Sequence, residues 1–170
     1  TTNMILRGDG KTNLVCVDFL KQNPKELRKH KYTVGMMNPP YSLRKDKDAA
    51  HLSEIHFVKH LLESLDDNAR CGVIIPQSAM VGKNKEDKDI KKEILKHHTL
   101  EGVINLNGDT SFYGIGVIPC IAIFTAHKPH SKDKRCKFIN FEDDGYKLSK
   151  HVGIVKTERA IERKEHLLKC

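Results

Sequence analysis

The stretch Val34-Gly35-Met36-Met37-Asn38-Pro39-Pro40-Tyr41 passes from an apolar run straight into two consecutive prolines. Proline fixes its own φ, lacks an N–H and pushes the residue before it out of the helical region. The chain therefore arrives extended, stops at Met37 and turns with the Asn38 side chain held in one direction. The loop displays carbonyl acceptors and few competing donors. Tyr41 adds a flat aromatic face of the kind on which bases stack, worth about 1–3 kcal/mol per base. A carboxamide, a donor-poor bend and an aromatic plane describe a base-sized clamp with two acceptors at one end, suited to chemistry on a planar amino group. The alternative reading of the same residues is an ordinary strand-to-loop turn with a packed tyrosine.

Outward from this stretch, strand and helix patterns alternate. Upstream, Asn13 to Val17 follows the Gly8-Asp9-Gly10 turn and reads as a short strand ending at Asp18-Phe19-Leu20; a polar, lysine-rich stretch with room for a short helix leads to a strand over Tyr32 to Met37. Downstream, residues 51 to 65 place Leu52, Ile55, Val58, Leu61, Leu62 and Leu65 at helical spacing. Asp66-Asp67-Asn68 breaks that helix, and Cys71 to Ile75 reads as a buried strand stopped by Pro76. Glu86 to His98 predicts a second helix, Leu100 to Leu106 a strand, residues 111 to 116 a loop, and Val117 to Thr125 a strand with Pro119 near its start. Lys137 to Phe141 extends the sheet, Asp143-Asp144-Gly145 turns, and Thr157 caps a final helix to Lys169. Such alternation predicts an open α/β sheet, whose ligands bind beyond the carboxyl ends of its strands. The Asn38 loop stands at one such end.

With 170 residues the chain fits one domain with a sizeable core, and its 31% charged and 38% hydrophobic content is globular. A net charge of +8 favours an anionic partner. Arg44, Lys45 and Lys47, like Lys83, Lys85 and Lys88, alternate with acidic residues and read as a solvated surface; Lys128, Lys132, Lys134, Arg135 and Lys137 form a cleaner cluster suited to phosphate. Cys16, Cys71, Cys120, Cys136 and Cys170 show no CxxC spacing, and the first three lie in or beside apolar runs, as reduced core cysteines of a cytosolic protein do. His56 and His60 are spaced like zinc ligands but lack a third, so they read as a surface pair and no metal is expected. No run suggests a membrane span or signal peptide. The chain opens Thr1-Thr2-Asn3, as a fragment or a processed product does.

Asp18-Phe19-Leu20, Asn38-Pro39-Pro40-Tyr41, Phe57 to Leu65, Gly72-Val73-Ile74-Ile75-Pro76 and Val103-Ile104-Asn105-Leu106 resemble, in that order, successive motifs of the N6-adenine DNA methyltransferases, and most closely the modification subunit of type I restriction-modification systems. The likeness runs from about residue 3 to 128 and is looser to 150. It implies transfer of a methyl group from S-adenosylmethionine to the N6 amine of adenine in double-stranded DNA, in the cytoplasm. It also implies a partial Rossmann-like S-adenosylmethionine-dependent methyltransferase fold: a mixed, mostly parallel sheet with one antiparallel strand and N-terminal strands missing. Residues 1–150 would be the C-terminal portion of the catalytic domain, and residues 151–170 a helical extension.

By the same resemblance, the Asn38 side chain and the Pro39 carbonyl accept the two amine hydrogens, with Pro40 shaping the bend and Tyr41 stacking on an adenine flipped out of the duplex. Phe112, or its neighbour Tyr113 if the register slips by one, holds the opposite face. Asp18 accepts from the cofactor's adenine amine and Phe19 packs on its ring, with Asn38 also beside the cofactor. An aspartate ending a strand also serves as a turn cap, and a phenylalanine there also packs in a core. Lys132, Lys134 and Arg135 are expected on DNA phosphates. The family's glycine-rich motif and ribose-binding acid have no counterpart here, so a weak or inactive fragment is expected. Its first 30 residues should be displaced, paired with another molecule or poorly ordered, for want of strand neighbours. A specificity subunit or target-recognition domain would supply sequence choice. The competing readings are a methyltransferase on RNA adenine or protein glutamine, and a non-catalytic nucleic-acid-binding module.

Overall fold

Four strands run in one direction and a fifth runs against them. The computed structural model describes residues 6, 8, 14–41, 53–82, 85–112, 114 and 116–170. Among these, β1 (Val34–Met37), β2 (Arg70–Pro76), β3 (Thr99–Leu106), β4 (Pro119–Thr125) and β5 (Lys137–Phe141) form one sheet in the order β1-β2-β4-β3-β5. β1 is parallel to β2 and β3 to β5, while β4 is antiparallel to both of its neighbours. A row of partners crosses all five strands, Met37 to Val73 to Ala122 to Val103 to Phe138, so these side chains share one face. The mixed, mostly parallel sheet expected from the sequence is thus present.

Helices α2 (Glu54–Ser64) and α4 (Lys85–His97) cover that face. Ile55, Val58, Leu61 and Leu62 recur at three- and four-residue spacing, and all four are buried against Cys71, Val73 and Ile75 of β2 and Cys120, Ala122 and Phe124 of β4. Gly35 is where α2 comes nearest to β1: a Cβ there would lie 2.8 Å from Leu65 Cδ1. α3 (Gln77–Val81) follows β2 directly, and Lys91 of α4 donates to its trailing carbonyls, Ala79 at 3.0 Å and Met80 at 2.9 Å. After β5 come a two-stranded antiparallel hairpin, β6 (Tyr146–Ser149) and β7 (Gly153–Lys156), and α6 (Arg159–Lys169). That hairpin straddles residue 150, the boundary expected from the sequence.

The structure corrects several expectations. Leu14 to Val17 form no strand and lie exposed, Val15 at 79%, because no neighbour among the described residues offers backbone partners; Asn13 lies outside the described residues. Residues 18–30 are not displaced: Phe19 meets the His60 ring edge-on at 4.6 Å, and α1 (Pro24–Arg28), capped by Asn23, packs on α2. Cys16 is exposed, whereas Cys71 and Cys120 are buried, and burial pushes their thiols up to about 12 and about 11. His60 is half-buried under Phe19 and so is no surface histidine, while His56 Nδ1 bonds to Ser53 at 2.8 Å. Thr157 does not cap α6 through its side chain. Its hydroxyl instead donates to the Gly145 carbonyl at 2.6 Å.

His98 closes the bottom of the sheet, 2% exposed, with Nδ1 accepting the His127 N–H at 2.9 Å. Burial, with His127 and His97 beside it, pushes its pKa down to about 4. Between that value and the ordinary 6.5 the unfolded chain holds the extra proton, so stability falls as pH drops through this window and is unaffected by this group above it. The expected loss is up to about 3 kcal/mol, read as a falling thermal midpoint from pH 7 to 4.5. His98→Gln should be less stable at pH 7 and should flatten that slope.

Candidate active site

Strand polarity gathers the site. β1, β2 and β3 all end at one rim, and β4 begins there, with Pro119 paired to Pro76 and the Gln77 N–H donating to Ile118 O at 2.9 Å. The loops leaving this rim carry Asn38 to Tyr41, Gln77, and Asn107 to Phe112. This is the carboxyl-end location where open α/β sheets bind ligands.

Asn38, the first residue beyond β1, is exposed, and among the described residues its carboxamide has no hydrogen-bond partner. Pro39 is buried and Pro40 exposed, so the bend is anchored by its first proline. Tyr41 turns back over β2: its hydroxyl donates to Ile74 O at 3.3 Å and its ring meets Phe112 at 5.6 Å between centroids, tilted by 49°. Desolvation, reinforced by Cys120 and Glu54, pushes the Tyr41 phenol up to about 12. It therefore stays a neutral donor at any physiological pH.

The structure thus brings Asn38, Pro39, Pro40, Tyr41 and Phe112 together, although they lie up to 74 positions apart in the chain. Tyr113 lies outside the described residues. The Tyr41 and Phe112 rings now touch each other. A base about 3.4 Å thick between parallel faces needs roughly 6.8 Å, so the rings must part by more than 1 Å and level their tilt to admit one.

Other expected site residues lie elsewhere or are engaged otherwise. Asp18 caps the 3₁₀ turn Phe19–Lys21, its Oδ1 accepting from the Leu20 N–H at 3.2 Å, and its Oδ2 stands 3.7 Å from Lys21 Nζ. Lys132, Lys134 and Arg135 lie in the loop between β4 and β5. That loop leaves Thr125, which pairs with Arg70 and Thr99 at the opposite rim, whereas Asn38 follows Met37, the partner of Val73, so roughly 13 Å along the strands separates the start of that loop from Asn38. Lys134 is moreover bound to Glu101, whose carboxyl it holds below the usual range. The phosphate cluster read from the sequence is therefore not part of this rim: the antiparallel run of β4 carries it away.

Three polar residues were not singled out by sequence. Asn107 caps the four-residue helix α5 (Gly108–Ser111), accepting from the N–H of Asp109 at 3.0 Å and of Thr110 at 3.3 Å. Thr110 Oγ1 donates to Asp144 Oδ2 at 2.6 Å. Asparagine ahead of Gly-Asp is a helix-start signal that the sequence does contain. The contact with Asp144, 34 residues on, leaves no local trace. Among the described residues no cluster of His, Cys, Asp or Glu is arranged to hold a metal, and no helix is long and apolar enough to cross a membrane.

The fold and rim are those of an open α/β sheet with its loops gathered at the strand ends, and comparison with known proteins narrows the class. The N-6 DNA Methylase family matches residues 1–167, and the chain belongs to that family. It is 50% identical over 168 residues to the type II restriction enzyme and methyltransferase RM.BcgI of Heyndrickxia coagulans, covering 99% of this chain and 26% of that protein. The same fold recurs in a modification subunit of a putative type I restriction enzyme from Vibrio vulnificus (TM-score 0.69, 16% identity, 98% of this chain and 37% of that one). It recurs also in a type I restriction-modification methyltransferase subunit from Streptococcus thermophilus (TM-score 0.69, 20% identity, 98% and 38%). The chain thus spans about a quarter to two fifths of these relatives.

Because the Tyr41 phenol is held neutral by burial, its titration is a direct probe of the rim. In absorbance titration, Tyr41→Phe should remove a phenol ionisation near pH 12.

Proposed function

We propose that this chain is the target-base portion of a DNA methyltransferase that moves a methyl group from S-adenosylmethionine to the N6 amine of adenine in double-stranded DNA, within a restriction-modification system. The observation that carries the reading is the exposed, unpartnered Asn38 carboxamide at the strand-end rim, beside the Tyr41–Phe112 pair. Membership of the N-6 DNA methylase family and the 50% identity to RM.BcgI support it.

The exocyclic amine of adenine is a poor nucleophile because its lone pair is delocalised into the ring. Asn38 Oδ1 and the Pro39 carbonyl oxygen accept its two hydrogens and favour the geometry in which that lone pair points out of the conjugated plane. Proline's missing N–H keeps donors away from the same spot. Tyr41 and Phe112 hold the extruded ring from either face once they have parted. The acceleration comes from placement and fixed dipoles, without a strong base. As the amine nitrogen gains a bond to the methyl carbon, that carbon's bond to the sulfonium sulfur would break to leave a neutral thioether, and one of the hydrogens held by Asn38 and Pro39 would leave as a proton to solvent. The neutral Tyr41 phenol neither takes up nor delivers it.

S-Adenosylmethionine, when bound, supplies an electrophilic methyl on a sulfonium. Asp18 fits a cofactor adenine amine: its carboxylate is exposed, and Oδ1 alone accepts a hydrogen bond, from the Leu20 N–H at 3.2 Å. Phe19, half-buried, has ring surface left for the same purpose. A specificity subunit or target-recognition domain belongs to the same reading.

In the protein as its gene encodes it, Asn38→Ala should cut methyl transfer to adenine in duplex DNA by about 10²–10³-fold while leaving DNA affinity within threefold. Labelled-cofactor transfer and a binding isotherm at fixed salt check this. Unchanged transfer in Asn38→Ala would leave a non-catalytic binding module as the better account. Transfer to RNA or protein glutamine in place of duplex DNA would reassign the substrate.

A further inference from the structure

The turn Asp143-Asp144-Gly145 between β5 and β6 is bonded in two directions. Asp143 pairs with Arg159 at 3.0 Å and Arg163 at 2.6 Å, both on α6. Gly145, at φ +78°, accepts the Thr157 N–H at 2.9 Å and its hydroxyl at 2.6 Å; a Cβ there would stand 2.4 Å from Ala160 Cα, so only glycine allows α6 to start so close. Asp144 reaches the opposite way, to the loop that ends in Phe112. Its Oδ2 accepts from Thr110 Oγ1 at 2.6 Å, and its Oδ1 from the Tyr146 N–H at 2.8 Å and from Asn107 Nδ2 at 3.4 Å.

α5 has four residues, far fewer than a helix needs to hold itself together. Its placement comes from side-chain bonds at its two ends: Asn107 at the start and Thr110 one residue from the finish, both held by the same carboxylate. Phe112 follows immediately with φ −134° and ψ 65°, and its ring faces Tyr41. A charged acceptor makes such hydrogen bonds stronger than neutral ones.

We propose that Asp144 is a positioning residue for the target base: bonded to Thr110 and Asn107, its carboxylate sets Phe112 opposite Tyr41 and links that placement to the β6–β7 hairpin and α6. The inference rests on the reading of Tyr41 and Phe112 as the base-holding pair. Since Asn107, Thr110 and Asp144 are bonded as one unit, the gap between the rings widens by movement of the whole loop, and the hairpin side of the molecule takes part in admitting the base.

The test uses the protein as its gene encodes it. The duplexes carry the sequence mapped from methylated adenines in the host's DNA, with 2-aminopurine at the target position for the extrusion signal. Asp144→Ala should lower kcat for methyl transfer about ten- to a hundredfold and weaken the fluorescence rise on binding, with the Kd for S-adenosylmethionine within twofold. Asp144→Asn, which keeps an acceptor for the Thr110 hydroxyl, should recover most of both. Thr110→Val should reproduce the defect, and the double variant should be no worse than Asp144→Ala, since the Thr110 hydroxyl acts through its bond to Asp144. Should Asp144→Ala lose cooperative unfolding, Thr110→Val carries the same test with one hydroxyl removed. Wild-type kcat and extrusion in these variants, alongside an inactive Asn38→Ala, overturn the inference and leave the functional reading standing. A parallel loss of cofactor affinity also overturns it, because it marks a general structural role. A wild-type protein that transfers no methyl to adenine overturns the functional reading, and this inference with it.

Discussion

The insertion of β4 against the grain of its neighbours is the constraint on which the rest depends. Parallel strands alone would put each loop after a helix crossover and leave β2 and β3 adjacent. With β4 between them, paired residue for residue from Pro76–Pro119 down to Arg70–Thr125, the connection from β3 back into the sheet stays at the strand-end rim. That connection carries Asn107, Thr110 and Phe112. The aromatic partner of Tyr41 is therefore delivered by hydrogen-bond polarity rather than by any affinity between the two rings. The same polarity sends the basic loop to the far rim, where Lys134 settles on Glu101.

Legibility in the sequence follows element length. α2, β2, α4 and β3 carry enough apolar positions for a period to show; the observed bounds of β2, α4 and β3 fall within a residue of the pattern, and α2 ends within a residue of it, residues 51 and 52 at its expected start lying outside the described residues. The Asn38 loop was readable because proline acts locally and needs no partner. α3 and α5, with five and four residues, are too short for any period and exist because Lys91 and Asp144 hold their ends. The β6–β7 hairpin has four residues per strand, three exposed in β6 and two in β7, too short a run with too little burial to mark the sequence. The apolar run before Asp18 was legible as a pattern but is no strand, since a pattern supplies no neighbour. The basic cluster was legible as charge, yet which end of the sheet it occupies depends on the direction of β4, which charge does not encode.

The site separates two tasks that one motif combines in the sequence. On the proposed reading, Asn38 and Pro39 would act through backbone direction, set by a strand and a proline. Tyr41 and Phe112 would act through the space between their rings, and Phe112 comes from a loop outside the motif. That division explains why a rim assembled from loops 74 residues apart can be read in part from eight contiguous residues and not in full.

β1 has four residues and a single hydrogen-bonded neighbour among the described residues, and Met36 on its outward face is 83% exposed. On the proposed reading, the acceptors thus hang from the shortest strand of the five-stranded sheet, at its edge among the described residues. In native-state hydrogen exchange its amides belong to the low end of the opening free-energy scale, well below β4, which is paired on both sides. On the proposed reading, anything that paired with that edge would lengthen the time the Asn38 bend keeps its shape, so local fraying there and catalytic readiness would become two measures of one equilibrium.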